Sequence, residues 1–462
     1  MRIDPVRRPD LSPREGTCGK DVLVHVLRVY HGGRAASHRA RERALAALGV
    51  EVSLAVPASW PETTESGSSY SEALAMYELP VTRAGDVNRH AYTSSEALCR
   101  VISELRPDVL DIHEEPFSVA ARQWLAAAPP NLPVVMYTAQ NVDKRFPPPF
   151  AQYERAAHRR VAALYPCSRQ SVSVARGKGF TGLIDVLPLG YDDAIFTPGS
   201  QSADDDELVL ALAGRLVPEK GVVDAVEILA RVNATRPARL VVVGSGPEEA
   251  TARQRAATLG VSDRLELVPW QPTEELAATY RSAHVVLVPS RPTETWVEQF
   301  GRVIVEAQAS GAAVAGYASG SIPEVAGDAA VLAPVGAQGE LAEAIVELLD
   351  DPTEFEHHRA LGFDLCRSRT WTQVAARQAE LYRRVAAGDA PRVELPRSPR
   401  ARRTAARSEF GPTAATTAGP RPFALPVLRR GGVAVRGLEA AVDAASELAI
   451  VIGRAASVAT RP

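Results

Sequence analysis

The sequence predicts an α/β protein of two domains, each a parallel sheet wound with helices in the Rossmann-like manner, followed by an extension without a core. Three observations carry this. Apolar runs of strand length alternate with helical patterns along most of the chain, which is the mark of a parallel sheet covered by its own crossovers. A polar Ser/Gln/Asp stretch at residues 199–207 interrupts the alternation, which then restarts. From Gly388 the composition shifts to Arg, Pro, Thr, Ala and Gly, with little apolar periodicity. The expected organisation is a leader over 1–20, a first domain over 21–198, a linker over 199–207 and a second domain over 208–368. A last helix over 369–388 and a basic low-complexity tail over 389–462 complete it.

A chain of 462 residues is too long for one ordinary domain, and 46% apolar residues supply more than one core. A net charge of −3 argues against a general nucleic-acid binder. The four cysteines, Cys18, Cys99, Cys167 and Cys366, are scattered without a C-x-x-C pair or metal spacing. They read as small apolar residues or inert thiols of a reducing compartment. Residues 1–20 lack the apolar core of a secretory signal, and no run of about 18 apolar residues marks a membrane span. The expectation is a cytoplasmic protein.

In the first domain, residues 22–30 form a nearly continuous apolar strand, followed by His31-Gly32-Gly33-Arg34 and a helix ending at Gly49. Gly32 and Gly33 read either as a tight turn or as a close-approach point for a phosphate, with Arg34, His38, Arg39 and Arg41 adding positive charge. Residues 51–56 and 73–80 follow as strands around a polar loop at 59–71, and 94–105 as a helix. The strand from Val109 runs into His113-Glu-Glu-Pro at its carboxyl end, where ligands bind in open α/β sheets. His113 is there either a structural histidine or a site residue. Residues 133–138 make the next strand. The loop 139–149 after it reads as a surface loop or as an acceptor wall carrying Gln140, Asn141, Lys144 and Arg145. Patterns for a helix (150–163), strand (164–168), helix (169–178) and strand (184–189) close the domain.

The linker contains Asp204-Asp-Asp206, which matches a metal-binding D-x-D. That reading is rejected, because no second ligand set stands nearby. In the second domain, a strand from Leu208 delivers Arg215 and Lys220 to the loop before a helix over 222–230. Two cations at a strand end suit a diphosphate. Leu240–Val243 and Leu265–Trp270 are further strands, and Trp270 either stacks on a base or packs. Residues 274–282 read as a helix and 285–289 as a strand. The turn at Glu298, Phe300 and Gly301 follows, then a helix carrying Arg302 and Glu306 and stopped by Gly311. Backbone amides at such a turn hold an anion, and two carboxylates beside it suit sugar hydroxyls. A strand over 312–318, the turn at Gly320–Val325 and helices over 341–349, 353–366 and 371–384 complete the domain.

Glu298, Phe300, Gly301, Glu306, Ala307, Ala309 and Gly311 fit E-x-F-G-x-x-x-x-E-A-x-A-x-G. The turn resembles the E-x7-E signature of the retaining family 4 glycosyltransferases, also called glycosyl transferases group 1. Gly214–Gly221 resembles that family's G-R-x-x-x-x-K-G. Gly190–Pro198, Val243–Glu248 and Gly320–Val325 are similar to further family segments. His113-Glu-Glu-Pro resembles the H-x-H-E-P of its lipid-directed mannosyltransferases. The resemblance covers roughly 22–387. It departs from the family at Ala313, where Pro is usual, and at Arg302, where an aliphatic residue is commoner.

The resemblance implies two Rossmann-like domains facing across a cleft (GT-B), with the last helix crossing back to brace the first. It implies metal-free, cofactor-free transfer of a sugar, with retention, from a nucleoside-diphosphate sugar to a glycan, lipid or small-molecule hydroxyl. His113 and Glu298 would face the reacting sugar. Arg215 and Lys220 would hold the diphosphate opposite Gly32 and Gly33, and Glu306 the ribose. Phe300, Gly301, Arg302 and Trp270 would complete the donor site. The rivals are another GT-B enzyme, an epimerase or a pyridoxal-phosphate phosphorylase, and a non-catalytic GT-B scaffold or binding subunit.

Residues 390–438 carry ten Arg against two Glu, and 438–457 admit a weakly amphipathic helix. Two readings stay open: an inert or protein-docking extension, and peripheral attachment to the anionic inner face of a membrane. Removal of residues 390–462 is expected to leave the two domains folded, because their cores end with the preceding helix. Thermal melting of the truncated chain checks this, and a large fall in Tm would show that the tail packs into the fold.

Overall fold

The computed structural model describes residues 24–61 and 74–389. The leader over 1–20, most of the loop at 59–71 and the tail over 390–462 lie outside the described residues, as does the amphipathic pattern at 438–457.

The first domain runs β1 (His25–Val29), α1 (Ala40–Ala47), β2 (Glu51–Pro57), β3 (Ala75–Leu79), β4 (Val81–Thr82), β5 (Ala91–Tyr92), α2 (Ser95–Leu105) and β6 (Val109–Ile112). It continues α3 (Val119–Ala127), β7 (Val134–Thr138), α4 (Phe150–Arg160), β8 (Ala163–Pro166), α5 (Arg169–Gly177) and β9 (Leu183–Ile184). Its sheet has the order β3-β2-β1-β6-β7-β8-β9, parallel throughout. The strand order reverses beside β1 and β6. The crevice at their carboxyl ends is therefore a topological switch point, where doubly wound sheets take ligands.

The second domain runs β10 (Leu208–Ala213), α6 (Val222–Asn233), β11 (Ala238–Val243), α7 (Glu249–Leu259), β12 (Leu265–Val268), α8 (Thr273–Ser282) and β13 (Val285–Val288). Then come α9 (Arg302–Ala309), β14 (Ala313–Tyr317), α10 (Ile322–Ala326), β15 (Ala330–Ala333), α11 (Gln338–Asp350), α12 (Pro352–Arg367) and α13 (Trp371–Ala386). Its parallel sheet, β12-β11-β10-β13-β14-β15, switches between β10 and β13. All of β13 and β14 and nearly all of β10 are buried, as strands covered by helices on both faces must be.

The last helix belongs to the first domain's packing. Ala375, Ala379, Leu381, Tyr382 and Val385 repeat at helical spacing and join Val24, Val26, Leu45, Val109 and Tyr165 in one apolar cluster. The entry to α13 is pinned by Tyr191, whose carbonyl accepts from Trp371 N at 3.0 Å and whose N–H donates to Arg369 O at 3.2 Å. The crossing helix implied by the resemblance is thus seated in the first domain.

Several boundaries differ from the sequence expectation. The helix expected over 150–163 ends at Arg160, since Val161 turns extended and Ala163 pairs with Val135 in the sheet. The strand expected over 184–189 shrinks to Leu183–Ile184, an edge whose continuation passes through Pro188 and cannot donate there. The helix expected directly after Arg34 starts only at Ala40, because residues 31–34 and 36–38 form two tighter 3-10 turns. Helices α3 and α7 and strand β15 had no expectation. Ala-rich α3 and α7 lie between stronger patterns, and β15 is a short edge strand.

Leu381→Ala, at a fully buried position of α13, is expected to destabilise the fold by about 2–4 kcal/mol through lost burial and a residual cavity. Urea unfolding would show a lower midpoint with an unchanged slope.

Candidate functional site

The carboxyl ends of β10, β11 and β13 and the start of α9 enclose a cavity of about 400 Å³. Arg215 follows β10 into it, exposed and without a side-chain partner among the described residues. Lys220 ends a 3-10 turn before the left-handed Gly221 that opens α6. Its Nζ lies 2.6 Å from Glu298 Oε2 and 5.1 Å from the centre of the Trp296 ring. The same carboxylate oxygen accepts from Ser290 Oγ at 3.0 Å. Glu298 is buried and held on both sides, since its carbonyl takes Ser321 N at 3.0 Å and Asn141 Nδ2 at 2.8 Å.

Two glycines shape this turn. Gly301 caps α9 at φ 77°, a left-handed conformation that side chains resist. Gly320, at φ 55°, lies so close to Glu298 that a Cβ would meet its carbonyl oxygen at 2.4 Å. Phe300 is buried in the apolar cluster with Ile304 and Ala307, so its ring supports the turn while its backbone forms it. Glu306, on the second turn of α9, is buried, and Arg302 Nε stands 2.8 Å from its Oε1. Burial pushes the Glu306 carboxyl up from its ordinary value, against the pull of Arg302. The guanidinium of Arg302, half exposed, is raised in turn by Glu306. This pair was not foreseen in the sequence, where Arg302 was a departure from pattern and an expected member of the donor site, with no partner named for it.

A larger cavity of about 960 Å³ is lined by both domains and shares Trp270, Arg302 and Glu306 with the first. Trp270 is 74% exposed, so it is not packed in a core. His113, just past β6, lines the cavity from the other side. Its ring meets Tyr30 edge-on at 4.6 Å, lies 4.1 Å from Tyr137 between centroids, and places Nδ1 3.0 Å from the Tyr165 hydroxyl. Burial, with Arg28, Arg41 and His31 nearby, holds its pKa well below the ordinary imidazole value. His113 is therefore neutral at neutral pH.

The basic turn at residues 31–41 is arranged differently from the expectation. Gly32 lies under the Tyr30 ring and Gly33 packs on Leu54, and neither lines either cavity. Arg34 pairs with Glu78 at 3.2 Å, while Arg39 donates to the carbonyls of Gly33 and Arg34, both at 2.6 Å. Those two arginines secure the turn. Arg41 reaches the cavity wall, 5.1 Å from the Trp371 ring. In the loop 139–149, Lys144 lines the cavity without a side-chain partner among the described residues, and Arg145 does not line it. Gln140 is engaged with Glu154 at 3.1 Å and Lys178 at 2.7 Å.

The structure thus brings Arg215, Lys220, Glu298, Gly301, Arg302, Glu306 and Trp270 around the smaller cavity, with His113 facing them across the larger one. Sequence reasoning missed Ser290, Trp296, the bond from Asn141 to Glu298, and the polar residues beneath His113. Ser290 and Trp296 flank the signature and were within reach of it. The others join positions more than 50 residues apart and left no local signal. Among the described residues, no three His, Cys, Asp or Glu stand together as a metal-ligand group, and no helix is long and apolar enough to cross a membrane.

Two family models match the chain. Residues 24–190 match the glycosyl transferase 4-like domain, and residues 195–362 match glycosyl transferases group 1. The chain is 38% identical over 181 residues to D-inositol 3-phosphate glycosyltransferase of Mycobacteroides abscessus, covering 36% of this chain and 39% of that one. It therefore spans about two fifths of the length of that relative. Sucrose-phosphate synthase from Thermosynechococcus elongatus superposes with a TM-score of 0.61 at 20% identity, over 79% of this chain and 100% of that one. Anabaena HepE, in complex with UDP and glucose, gives 0.60 at 16% identity, over 78% and 99%. These likenesses establish the two-domain GT-B fold.

Glu306→Gln keeps the shape of the side chain and removes its charge from Arg302. It is expected to weaken donor binding by about 1–3 kcal/mol, read as a higher KM for the donor with kcat little changed. An unchanged KM would place Glu306 outside the donor site.

Proposed function

We propose, for a chain that belongs to the glycosyl transferases group 1 family, the transfer of a sugar from a nucleoside-diphosphate donor to an acceptor hydroxyl, with retention and without a metal. The observation that carries this reading is one cavity in which Arg215, without a side-chain partner among the described residues, and the Lys220–Glu298 pair stand beside buried Glu306, opening onto a cleft faced by His113.

Each group has a chemical task in this reading. As the sugar leaves, negative charge builds on the diphosphate, and Arg215 and Lys220 stabilise it where it develops. The amino terminus of α9, opened by Gly301, adds backbone N–H groups and the positive end of the helix dipole. Glu298 holds Lys220 in place and offers carboxylate oxygens to sugar hydroxyls. Glu306 accepts from the ribose, with Arg302 balancing its charge, and Trp270 supplies a face for the base.

In the reaction, the bond from the anomeric carbon to the phosphate oxygen breaks. The acceptor oxygen bonds to that carbon from the same face, and its proton passes to the departing phosphate. His113 is neutral and meets the sugar as a hydrogen-bonding group. The resident cations, in place of a metal, neutralise the leaving group.

The test is diphosphate release from a panel of UDP-, GDP- and ADP-sugars, with chelator present and absent. Chelator is expected to leave the rate nearly intact, and a loss restored by manganese would overturn the metal-free mechanism. Lys220→Ala is expected to lower kcat on the order of a hundredfold or more while the protein stays folded. Wild-type turnover in that variant would remove Lys220 from the catalytic site, and absence of diphosphate release by the wild-type chain would return the protein to a scaffold role.

A further inference from the structure

Beneath His113 lies a buried network whose donors and acceptors can be counted. Asp111 sits on β6 two residues before His113, so both side chains leave the same face of the strand. It is paired in register with Arg28 on β1, and the guanidinium Nη1 donates to its Oδ2. The same oxygen accepts from Gln378 Nε2 at 3.1 Å and Tyr382 OH at 2.5 Å, both on α13. The other oxygen, Oδ1, accepts from Tyr165 OH at 2.5 Å. With four donors around it, one of them an arginine, Asp111 acts only as an acceptor.

This fixes the order of protons further up. A phenol has one proton, and Tyr165 commits it to Asp111. Arg28 Nη1, 3.2 Å from the same phenolic oxygen, is also a donor toward it. The hydrogen bond left for Tyr165 to make with the imidazole is therefore as acceptor. His113 Nδ1, 3.0 Å away, must carry the proton. The ring is neutral, so Nε2 is the bare nitrogen. It has no partner among the described residues, and the ring lines the larger cavity.

We propose that Tyr165, held by Asp111, is a positioning residue that sets His113 in its Nδ1–H tautomer, so that Nε2 meets the donor sugar as a hydrogen-bond acceptor. The inference rests on the glycosyl-transfer reading for its consequence, while its geometry stands apart from it. A sugar that presents a hydroxyl proton to Nε2 is favoured, and one that presents only an acceptor there is rejected, because two lone pairs would face each other. Gln378 and Tyr382 tie this proton order to α13. The helix that braces the first domain thereby also directs a hydrogen bond in the cleft.

The test begins with the full-length wild-type protein labelled with ¹⁵N at histidine, with the His113 signals assigned by their loss in His113→Gln. Long-range ¹H–¹⁵N spectra are expected to show Nδ1 protonated and Nε2 bare. An Nε2–H ring, or one averaging between tautomers, would overturn the proposal without reference to activity. Tyr165→Phe removes the acceptor and is expected to move both His113 nitrogens toward the averaged pattern. It should also lower kcat on the order of tenfold, with donor KM little changed. A lower kcat with an unaltered nitrogen pattern would assign Tyr165 to packing alone, and a wild-type kcat would remove its positioning role. If the variant fails to fold, the wild-type spectrum decides. Absence of transfer by the wild-type chain from any donor would instead overturn the glycosyl-transfer reading, leaving the spectrum to judge the tautomer.

Discussion

The two domains meet at the main chain of Glu298. Its carbonyl oxygen takes a hydrogen bond from Asn141 of the first domain and another from Ser321 of the second, while its carboxylate holds Lys220 and Ser290. One residue therefore fixes the turn before α9 and registers how the facing domain sits. Nearby, the carboxylate of Glu324 accepts the backbone N–H of Arg169 at 2.9 Å and so caps α5 of the first domain from α10 of the second. Both links use backbone groups on one side. Each link therefore depends on a single side chain, Asn141 in one and Glu324 in the other.

The most deeply buried acids of the first domain, Glu42 and Asp111, are organised by a single arginine. Arg28 is 1% exposed and lies between Asp111 and Glu42, whose second oxygen, Oε2, has no partner among the described residues. Taking such groups out of water costs several kcal/mol each, and their mutual attraction repays that only when most lone pairs are filled. Asp111 meets the condition through two tyrosines and a glutamine, whereas Glu42 meets it in part. Replacing a buried charged set by apolar residues of similar volume is often neutral for stability. What the charged set adds is a defined direction for each proton in the layer under His113.

Much of this was legible in the sequence because parallel sheets leave a strong trace. Strands buried on both faces, such as Leu208–Ala213 and Val285–Val288, read as unbroken apolar runs, and the ligand-binding edge then follows from strand direction alone. The signature from Glu298 to Gly311 was readable because its spacing is local, with glycine needed where φ is positive. Pairings across the fold were not legible. Arg302 drew notice as an unusual residue, yet its bond to Glu306 depends on helix phase and on how deeply α9 is buried. Gly32 and Gly33 show the opposite case. Their sequence invited a phosphate, but the Tyr30 ring and the Leu54 side chain occupy the space that the missing side chains leave. Composition marks where a chain approaches something closely and is silent about what it approaches.

The position of α13 has a consequence for the order in which the protein can be made. The apolar cluster around Val26, Leu45 and Tyr165 is completed by Ala375, Ala379, Leu381 and Tyr382, and the buried carboxylate of Asp111 gains two of its donors from the same helix. Those residues leave the ribosome after the whole second domain has been synthesised. Domains generally fold from the amino-terminal end as they emerge. Here the second domain can close its own core first, and the domain translated earliest must wait with an open apolar face for the last helix to arrive.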